Sequence, residues 1–170
     1  ALCRYARELG YTTLALTDCN NLYGLWPFLA ACGEEGVAPI IGAELRTEDS
    51  HRLFVLVKDQ TGYRNLCRLL TDRHCQPSFE LVNGLSLHHE GLLVLVPDPD
   101  LLPHCREIGA DVMAALVGQP DQRTSRLRQA ARRLGLPAVP VQNCFFLTSG
   151  DEVLHRLLRA IAVNSSLDRL

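Results

Sequence analysis

Three side chains that could do chemistry follow two apolar segments in the first third of the chain. Residues 12–17 lead into Asp18 and Cys19, and residues 39–43 lead into Glu44. Carboxylates and thiolates bind divalent metals, and a thiolate is also a nucleophile. In a parallel α/β protein the active site lies where strands end and loops begin. These three residues are therefore the first candidates for a functional site.

The elements that would position these residues alternate along the chain. Strands are predicted for residues 12–17, 39–45, 52–58, 92–96, 111–117 and 138–141, and helices for the segment before Gly10 and for residues 22–35, 62–73, 121–134 and 151–163. Residues 76–90 give mixed signals. This alternation predicts an α/β fold with a parallel sheet covered by helices, either closed like a barrel or open and doubly wound.

Composition excludes several classes of protein. The chain has 170 residues, 47% of them hydrophobic, and a formal net charge of −2, which fits one domain and argues against a broad nucleic-acid footprint. The sequence has no long apolar run and no signal-peptide pattern, so we expect a cytoplasmic protein without a membrane contact. Seven cysteines without a C-x-x-C pair predict reduced thiols, with Cys3, Cys32 and Cys67 on apolar helix faces.

Four segments together resemble one known family. They are RELGYTTLALTDCNNLYG, GVAPIIGAEL, DQTGYRNLCRLLT and, more weakly, FFLTSGDEVLHRLLRAIAVNSSLD. In this order they resemble the polymerase and histidinol phosphatase (PHP) domain at the start of bacterial DNA polymerase III α subunits and their error-prone relatives. The resemblance implies an irregular, TIM-like βα barrel of seven strands. It also implies one PHP-like domain over residues 1–170, truncated at its N-terminus so that the first strand is missing, and belonging to a larger polymerase.

The resemblance further implies where metal ligands would lie. Active members bind zinc or manganese through His, Asp, Glu and Cys at strand ends, and their first H-x-H motif would precede Ala1. Glu44 matches the family's bridging glutamate. Cys19 stands in place of a histidine after T-D, whereas Asn143 and Phe145 stand in place of the aspartate and histidine of a D-x-H motif.

These replacements predict a degenerate site at Asp18, Cys19, Glu44, Asn143 and Phe145, with no catalytic residue and no metal cofactor. A polynuclear centre needs several anionic or imidazole ligands, whereas a phenyl ring supplies none and an amide is a poor substitute. If a metal binds, Glu44 and Cys19 are its expected ligands, and zinc or manganese is expected if the site is active.

Other roles are predicted for the same side chains. Glu44 would pair with Arg46 or another arginine, and Asp18 would close an Asx turn through Asn20 or Asn21. Cys19 would be a buried or half-buried thiol rather than a nucleophile, because no base is identifiable beside it.

The leading functional hypothesis is a non-catalytic scaffolding domain of a DNA polymerase III α-like protein in DNA replication or repair synthesis. Its expected partners are the remaining polymerase domains, with a proofreading or accessory subunit as a further candidate and with DNA contacted indirectly. One alternative is an active metal-dependent phosphoesterase or 3′–5′ exonuclease. Another is an interaction module that uses the helix around residues 22–31, although helical spacing favours Trp26 and Phe28 as core residues.

Overall fold

A computed structural model describes residues 1–47 and 51–169. The chain divides into two compact units, of which the first holds Ala1 and residues 3–141 and the second holds Leu2 and residues 142–170. In the part of the chain that is described, no helix is both long and apolar enough to cross a membrane.

The first unit is built on a six-stranded sheet. Its strands are β1 (Thr13–Cys19), β2 (Ala38–Arg46), β3 (Arg52–Val57), β4 (Leu92–Val96), β5 (Asp111–Val117) and β6 (Ala138–Val141), and their order in the sheet is their order in the chain. All six predicted strands are confirmed, each to within two residues at its ends. The apolar runs between glycines, prolines and polar residues were sufficient to locate them.

One strand departs from the predicted parallel sheet. β3 is antiparallel to both β2 and β4, whereas β1 and β2, β4 and β5, and β5 and β6 pair in parallel. The connection between β2 and β3 covers residues 47–51. A parallel crossover needs about a dozen residues or more, so this short link can form only an antiparallel hairpin. The sheet curls into half a barrel, and closure by seven strands stays a prediction.

Seven α-helices accompany the described strands. They are α1 (Leu2–Glu8), α2 (Leu25–Glu35), α3 (Gln60–Cys75), α4 (Leu81–His88), α5 (Leu102–Glu107), α6 (Gln122–Leu134) and α7 (Glu152–Ala162). The sequence did not predict α4 and α5. Both are short, and α4 lies in the segment with mixed signals, where burial of Leu81 and Leu85 rather than a clear periodicity holds the helix.

The two faces of the sheet carry different cores. Leu45, Leu53 and Val55 are fully buried in the main cluster, which also contains residues from helices α3 to α6. Because side chains alternate along a strand, Phe54 lies on the opposite face, where it clusters with Leu95 and apolar residues of β5 and β6. We call this second face the inner face. Both cores are mainly aliphatic.

A smaller cluster connects α1 and α2. Phe28 is buried there beside Cys3 and Cys32, whose Sγ atoms are 3.6 Å apart. The prediction of core thiols is confirmed for these two cysteines, whereas Cys67 is half-buried. Trp26 was expected in the core but is 75% exposed, because helical spacing does not say which of two adjacent faces packs inward.

Candidate functional site

The candidate residues of the first unit lie at one edge of the sheet. The carboxyl ends of the five parallel strands meet there, together with the start of β3. We call it the carboxyl edge. In register, Cys19 lies opposite Glu44, and Glu44 lies opposite Phe54. Cys19 and Glu44 therefore share the inner face, whereas Asp18 lies on the other face. The prediction of a buried or half-buried thiol is wrong for Cys19, which is exposed at the end of β1, the terminal strand of the described sheet.

Asp18 acts on the helix that follows it. Its Oδ2 accepts a hydrogen bond of 2.7 Å from the backbone N–H of Gly24, the N-cap residue of α2. The predicted Asx turn through Asn20 or Asn21 is thus replaced by a contact with the next helix. A carboxylate at this position accepts a hydrogen bond from a backbone N–H group that would otherwise lack a partner. Its negative charge also interacts favourably with the positive end of the helix dipole. Asp18 has a structural role and does not join Glu44.

Glu44 is the buried charge of the carboxyl edge. The residue is 5% exposed, and its Oε1 accepts a hydrogen bond of 2.8 Å from Nε of Arg46. Nη1 of Arg52 lies 3.5 Å from the same oxygen. A buried carboxylate is stable only with such partners. The predicted pairing of Glu44 with Arg46 is confirmed, and this hydrogen bond raises the pKa of Arg46 above its ordinary value.

Asn20 fixes the backbone of Arg46. Its Oδ1 accepts a hydrogen bond of 2.7 Å from the backbone N–H of Arg46, and its Nδ2 donates one of 3.2 Å to the carbonyl oxygen of Arg46. The backbone N–H of Asn20 also donates to the carbonyl oxygen of Glu44 at 2.8 Å. Asn20 adopts a left-handed conformation with φ of 51°, which asparagine tolerates better than most residues. The loop after β1 is thereby held to the end of β2.

The end of α3 adds two more side chains to this edge. Nε of Arg73 donates to the carbonyl oxygen of Arg46 at 2.8 Å, and Nε2 of His74 donates to the carbonyl oxygen of Asn20 at 2.7 Å. Since a carbonyl oxygen can only accept, Nε2 of His74 carries the proton. Sequence reasoning missed both roles, because the contacts span more than 25 residues and leave no local signal.

Asp98 is a second buried carboxylate, in the loop after β4. It is 7% exposed, and its Oδ2 contacts Nδ1 of His51 at 3.3 Å and Nη2 of Arg123 at 3.0 Å. Burial alone would raise the pKa of Asp98. Hydrogen bonds from the backbone N–H of Asp100 and from His51, together with the charge of Arg123, outweigh burial and lower the pKa below its usual value. The carboxylate of Asp98 therefore connects the loop after β4 to the start of β3 and to α6.

The remaining predicted positions belong to the second unit. Asn143 and Phe145 lie in the irregular segment before α7. Phe145 is 58% exposed, and its ring stacks on His155 with centroids 5.0 Å apart. The structure thus brings Cys19 and Glu44 together in the first unit and places Asn143 and Phe145 in a separate unit.

The side chains around Glu44 do not fit a metal centre. Its Oε1 faces two guanidinium groups, which would repel a divalent cation held on the same carboxylate. Within residues 1–47 and 51–169, no group of three or more His, Cys, Asp or Glu side chains converges so that it could hold a metal ion. We therefore derive no step through a metal for this arrangement.

Comparison with known proteins places the chain in a family. A family model of the PHP domain matches residues 1–139. The chain belongs to the PHP domain family. This PHP domain is 32% identical to the error-prone DNA polymerase of Pseudomonas fluorescens, with 94% of the chain and 17% of that relative covered. It is 30% identical to the DNA polymerase III subunit alpha of Treponema pallidum, with 97% of the chain and 18% of that relative covered.

The PHP domain thus spans less than a fifth of the length of these relatives. The family resemblance inferred from sequence is confirmed. A crystal structure of a protein from Bifidobacterium adolescentis, assigned as a metal-dependent phosphoesterase, superimposes with a TM-score of 0.53 and 15% identity. It covers 82% of this chain and 79% of that protein, and at this level of identity it supports the fold alone.

Proposed function

We propose that this PHP domain is a non-catalytic scaffolding domain of a DNA polymerase III α-like protein that acts in DNA replication or repair synthesis. The observation that carries the proposal is the state of Glu44, whose Oε1 is engaged by both Arg46 and Arg52. A carboxylate that is paired with two guanidinium groups is a structural counter-ion. Using it as a metal ligand would require separating a buried ion pair, which is strongly unfavourable.

The other degenerate positions support the same conclusion. Cys19, Asn143 and Phe145 replace the histidine, aspartate and histidine that the family uses at the corresponding positions. Phe145 carries no lone pair and stacks on His155 instead. Asp18, the remaining candidate, caps α2. Phe145 and Asp18 therefore have packing and capping roles that do not need a metal.

As a scaffold, the domain would act through its folded body. The relatives that it resembles are whole polymerases, so the remaining polymerase domains are the proposed partners, with a proofreading or accessory subunit as a further one. DNA would be contacted indirectly and the parent protein would be cytoplasmic. We also propose a seven-stranded barrel over a single domain of residues 1–170, because β1 lies at one end of the sheet with Thr13, Ala15 and Cys19 exposed.

The test uses the full-length parent polymerase and measures two activities. Hydrolysis of a phosphodiester substrate is measured with added manganese or zinc, and DNA synthesis is measured separately. We expect no metal-dependent hydrolysis in the wild type. A destabilising core change in this domain, such as Leu53→Ala, is expected to reduce DNA synthesis, because the domain supports the polymerase body.

The alternative enzyme gives the opposite result. Metal-dependent hydrolysis that is present in the wild type and lost in Glu44→Gln would establish a phosphoesterase or exonuclease. The exposed Glu34→Gln serves as the control, because Glu34 lies on the surface of α2 in the first unit. DNA synthesis that survives Leu53→Ala unchanged, in a domain shown to be unfolded by that substitution, would overturn the scaffolding role.

A further inference from the structure

We propose that Cys3 and Cys32 are a redox-sensitive pair of thiols, which oxidation joins by a disulfide bond that fastens α1 to α2. The two sulfur atoms lie 3.6 Å apart, although the residues are 29 positions apart in the chain. Both residues are buried, with exposures of 3% and 1%. A disulfide bond places its sulfur atoms about 2.05 Å apart, so an approach of about 1.5 Å converts the contact into a bond.

A second contact fixes how α1 lies on α2. Nη1 of Arg7 lies 2.8 Å from Oε2 of Glu35. Arg7 follows Cys3 by four positions, and Glu35 follows Cys32 by three. Residues three or four positions apart share one face of a helix, so the two contacts lie one turn apart along both helices. The helices therefore run side by side in the same direction, and this register keeps the two thiols opposite each other.

The short helix α1 can make the small movement that the bond requires. It has seven residues, of which Cys3 and Ala6 are buried. A helix of this length is not stable by itself in water and depends on its packing. Elements with few buried side chains open locally more easily than the core does. We therefore expect α1 to separate from α2 and to return, while the sheet stays folded.

The surroundings of the pair keep it reduced until α1 opens. The sulfur atoms lie in an apolar cluster with Phe28 and Val37, against which Leu14 and Leu16 of β1 pack. Burial, and to a smaller extent the contact with Cys3, raises the pKa of Cys32 to about 11. Because the thiolate is the reactive form, the closed pair reacts slowly, and oxidation proceeds through the opened helix.

The proposed oxidant is oxidised glutathione, a low-molecular-weight disulfide. The thiolate of Cys3 attacks one sulfur atom of this disulfide, a mixed disulfide forms, and one glutathione thiolate leaves. The thiolate of Cys32 then attacks the sulfur atom of Cys3 and releases the second glutathione thiolate. In total the two cysteines lose two protons and two electrons, and one molecule of oxidised glutathione becomes two molecules of glutathione.

The bond would strengthen one end of the sheet. It closes a loop that contains all of β1, the terminal strand of the described sheet. A disulfide bond stabilises a fold mainly by restricting the opened chain. The oxidised form therefore holds α1 and β1 more firmly than the reduced form does. In a reducing compartment the thiols stay free, so the bond is a reversible response to an excess of oxidant.

The experiment treats the full-length parent polymerase with oxidised glutathione and maps the products. Remaining thiols are blocked with N-ethylmaleimide, and the protein is digested with chymotrypsin without reduction. Cleavage after Tyr23 and Phe28 places Cys19 and Cys32 on different peptides, so mass spectrometry identifies each partner. We expect a peptide pair linked through Cys3 and Cys32, which disappears after treatment with dithiothreitol.

Cys105 is the matched control within the same sample. It is fully buried, and its pKa is also raised to about 11, in this case by burial alone. The two sites therefore differ in the neighbouring sulfur atom rather than in protection from solvent. We expect the linked pair to form at least about tenfold more often than any disulfide of Cys105, whose thiol stays inaccessible.

Two variants test the order of the steps. In Cys32→Ala the second thiol is missing, so Cys3 is expected to remain as the mixed disulfide with glutathione. Cys75→Ala removes an exposed thiol at the end of α3 and is expected to leave the yield of the linked pair unchanged. The result for the wild type decides the proposal even if a variant does not fold.

Hydrogen exchange tests whether the bond fastens the helix. We expect the backbone amides of α1 to exchange about tenfold or more slowly in the linked protein, because opening is restricted. Amides of α6, whose buried residues belong to the main cluster, should change less than about twofold. The proposal is overturned if no linked pair forms, or if Cys105 forms disulfides equally often. It is also overturned if α1 exchanges at the same rate or faster in the linked protein.

Discussion

The side-chain amide of Asn20 pairs with the backbone of Arg46 as a further strand residue would. It accepts from the N–H of Arg46 at 2.7 Å and donates to its carbonyl oxygen at 3.2 Å. The pairing ladder of β1 and β2 is thus continued past Cys19 by a side chain, although the backbone of Asn20 has already turned away with φ of 51°. This contact sets the position of the arginine that neutralises Glu44.

Removing the amide should be costly. We expect Asn20→Ala to lower the free energy of unfolding by about 2–3 kcal/mol, because two hydrogen bonds are lost and alanine disfavours the left-handed conformation. Asn20→Asp keeps the acceptor and should cost about 1 kcal/mol. Urea unfolding provides the measurement.

A matched control separates the two causes. Asn164 is the other non-glycine residue with positive φ in the described chain, and it is exposed. Asn164→Ala should cost about 1 kcal/mol, the conformational part alone. Equal losses for Asn20→Ala and Asn164→Ala would show that the pairing with Arg46 contributes nothing.

Two glycines should respond in opposite directions to alanine. A Cβ on Gly42 would lie 2.6 Å from the carbonyl oxygen of Val55 in the neighbouring strand, which cannot move without breaking the pairing of β2 with β3. We expect Gly42→Ala to cost about 3 kcal/mol. A Cβ on Gly33, inside α2, meets nothing within 4 Å, so Gly33→Ala should raise stability by up to about 1 kcal/mol. Thermal melting of both variants checks the contrast, and a stable Gly42→Ala would refute the close approach.

The cysteines should divide by reactivity. Burial raises the pKa of Cys32 and of Cys105 to about 11, and both are at most 1% exposed. At pH 8 a thiol with such a pKa is ionised in about one molecule in a thousand, so alkylation should be slow until the protein unfolds. Cys75 and Cys144 are exposed and should react first. Mass spectrometry after brief alkylation reads the order, and early modification of Cys105 would contradict it.

Asp98 should make stability depend on pH in acid. Because its pKa is lowered in the folded protein, the ionised carboxylate stabilises the fold at neutral pH, and this contribution disappears as pH falls below about 4. We expect Asp98→Asn to cost about 1–2 kcal/mol at pH 7 and to flatten the loss of stability in acid. Asp100→Asn is the control, since its exposed contact with Arg126 at 3.4 Å should be worth less than about 1 kcal/mol. The free energy of unfolding of both variants is measured as the pH is lowered. The prediction is wrong if the two variants lose stability in acid along curves of the same shape.

Much of the fold could be predicted because its strands are short apolar runs bounded by turn residues. The orientation of β3 was the exception. The sequence did contain the information for an antiparallel β3, because residues 47–51 are too few for the crossover that a parallel pair of strands needs. The exposed Trp26 shows another limit, because a helix with apolar residues on several sides does not indicate which side packs.

The candidate site could be predicted only where its contacts are local. Glu44 and Arg46 are two residues apart on one strand, so they share a face, and their pairing follows from the sequence. The contacts of Asn20 and Arg73 with Arg46 depend on loops and helices that return from 26 and 27 residues away. The periodicity of apolar residues does not predict contacts between residues so far apart in the sequence.

The measurement that tests the scaffolding role most directly is the metal content of the protein. Elemental analysis by mass spectrometry is applied to the full-length parent polymerase, purified without chelators or a histidine tag, in wild-type and Glu44→Gln forms. Because Arg46 and Arg52 already neutralise Glu44, we expect no zinc or manganese that depends on this residue. Two or more such ions per chain in the wild type, and fewer in Glu44→Gln, would contradict that role.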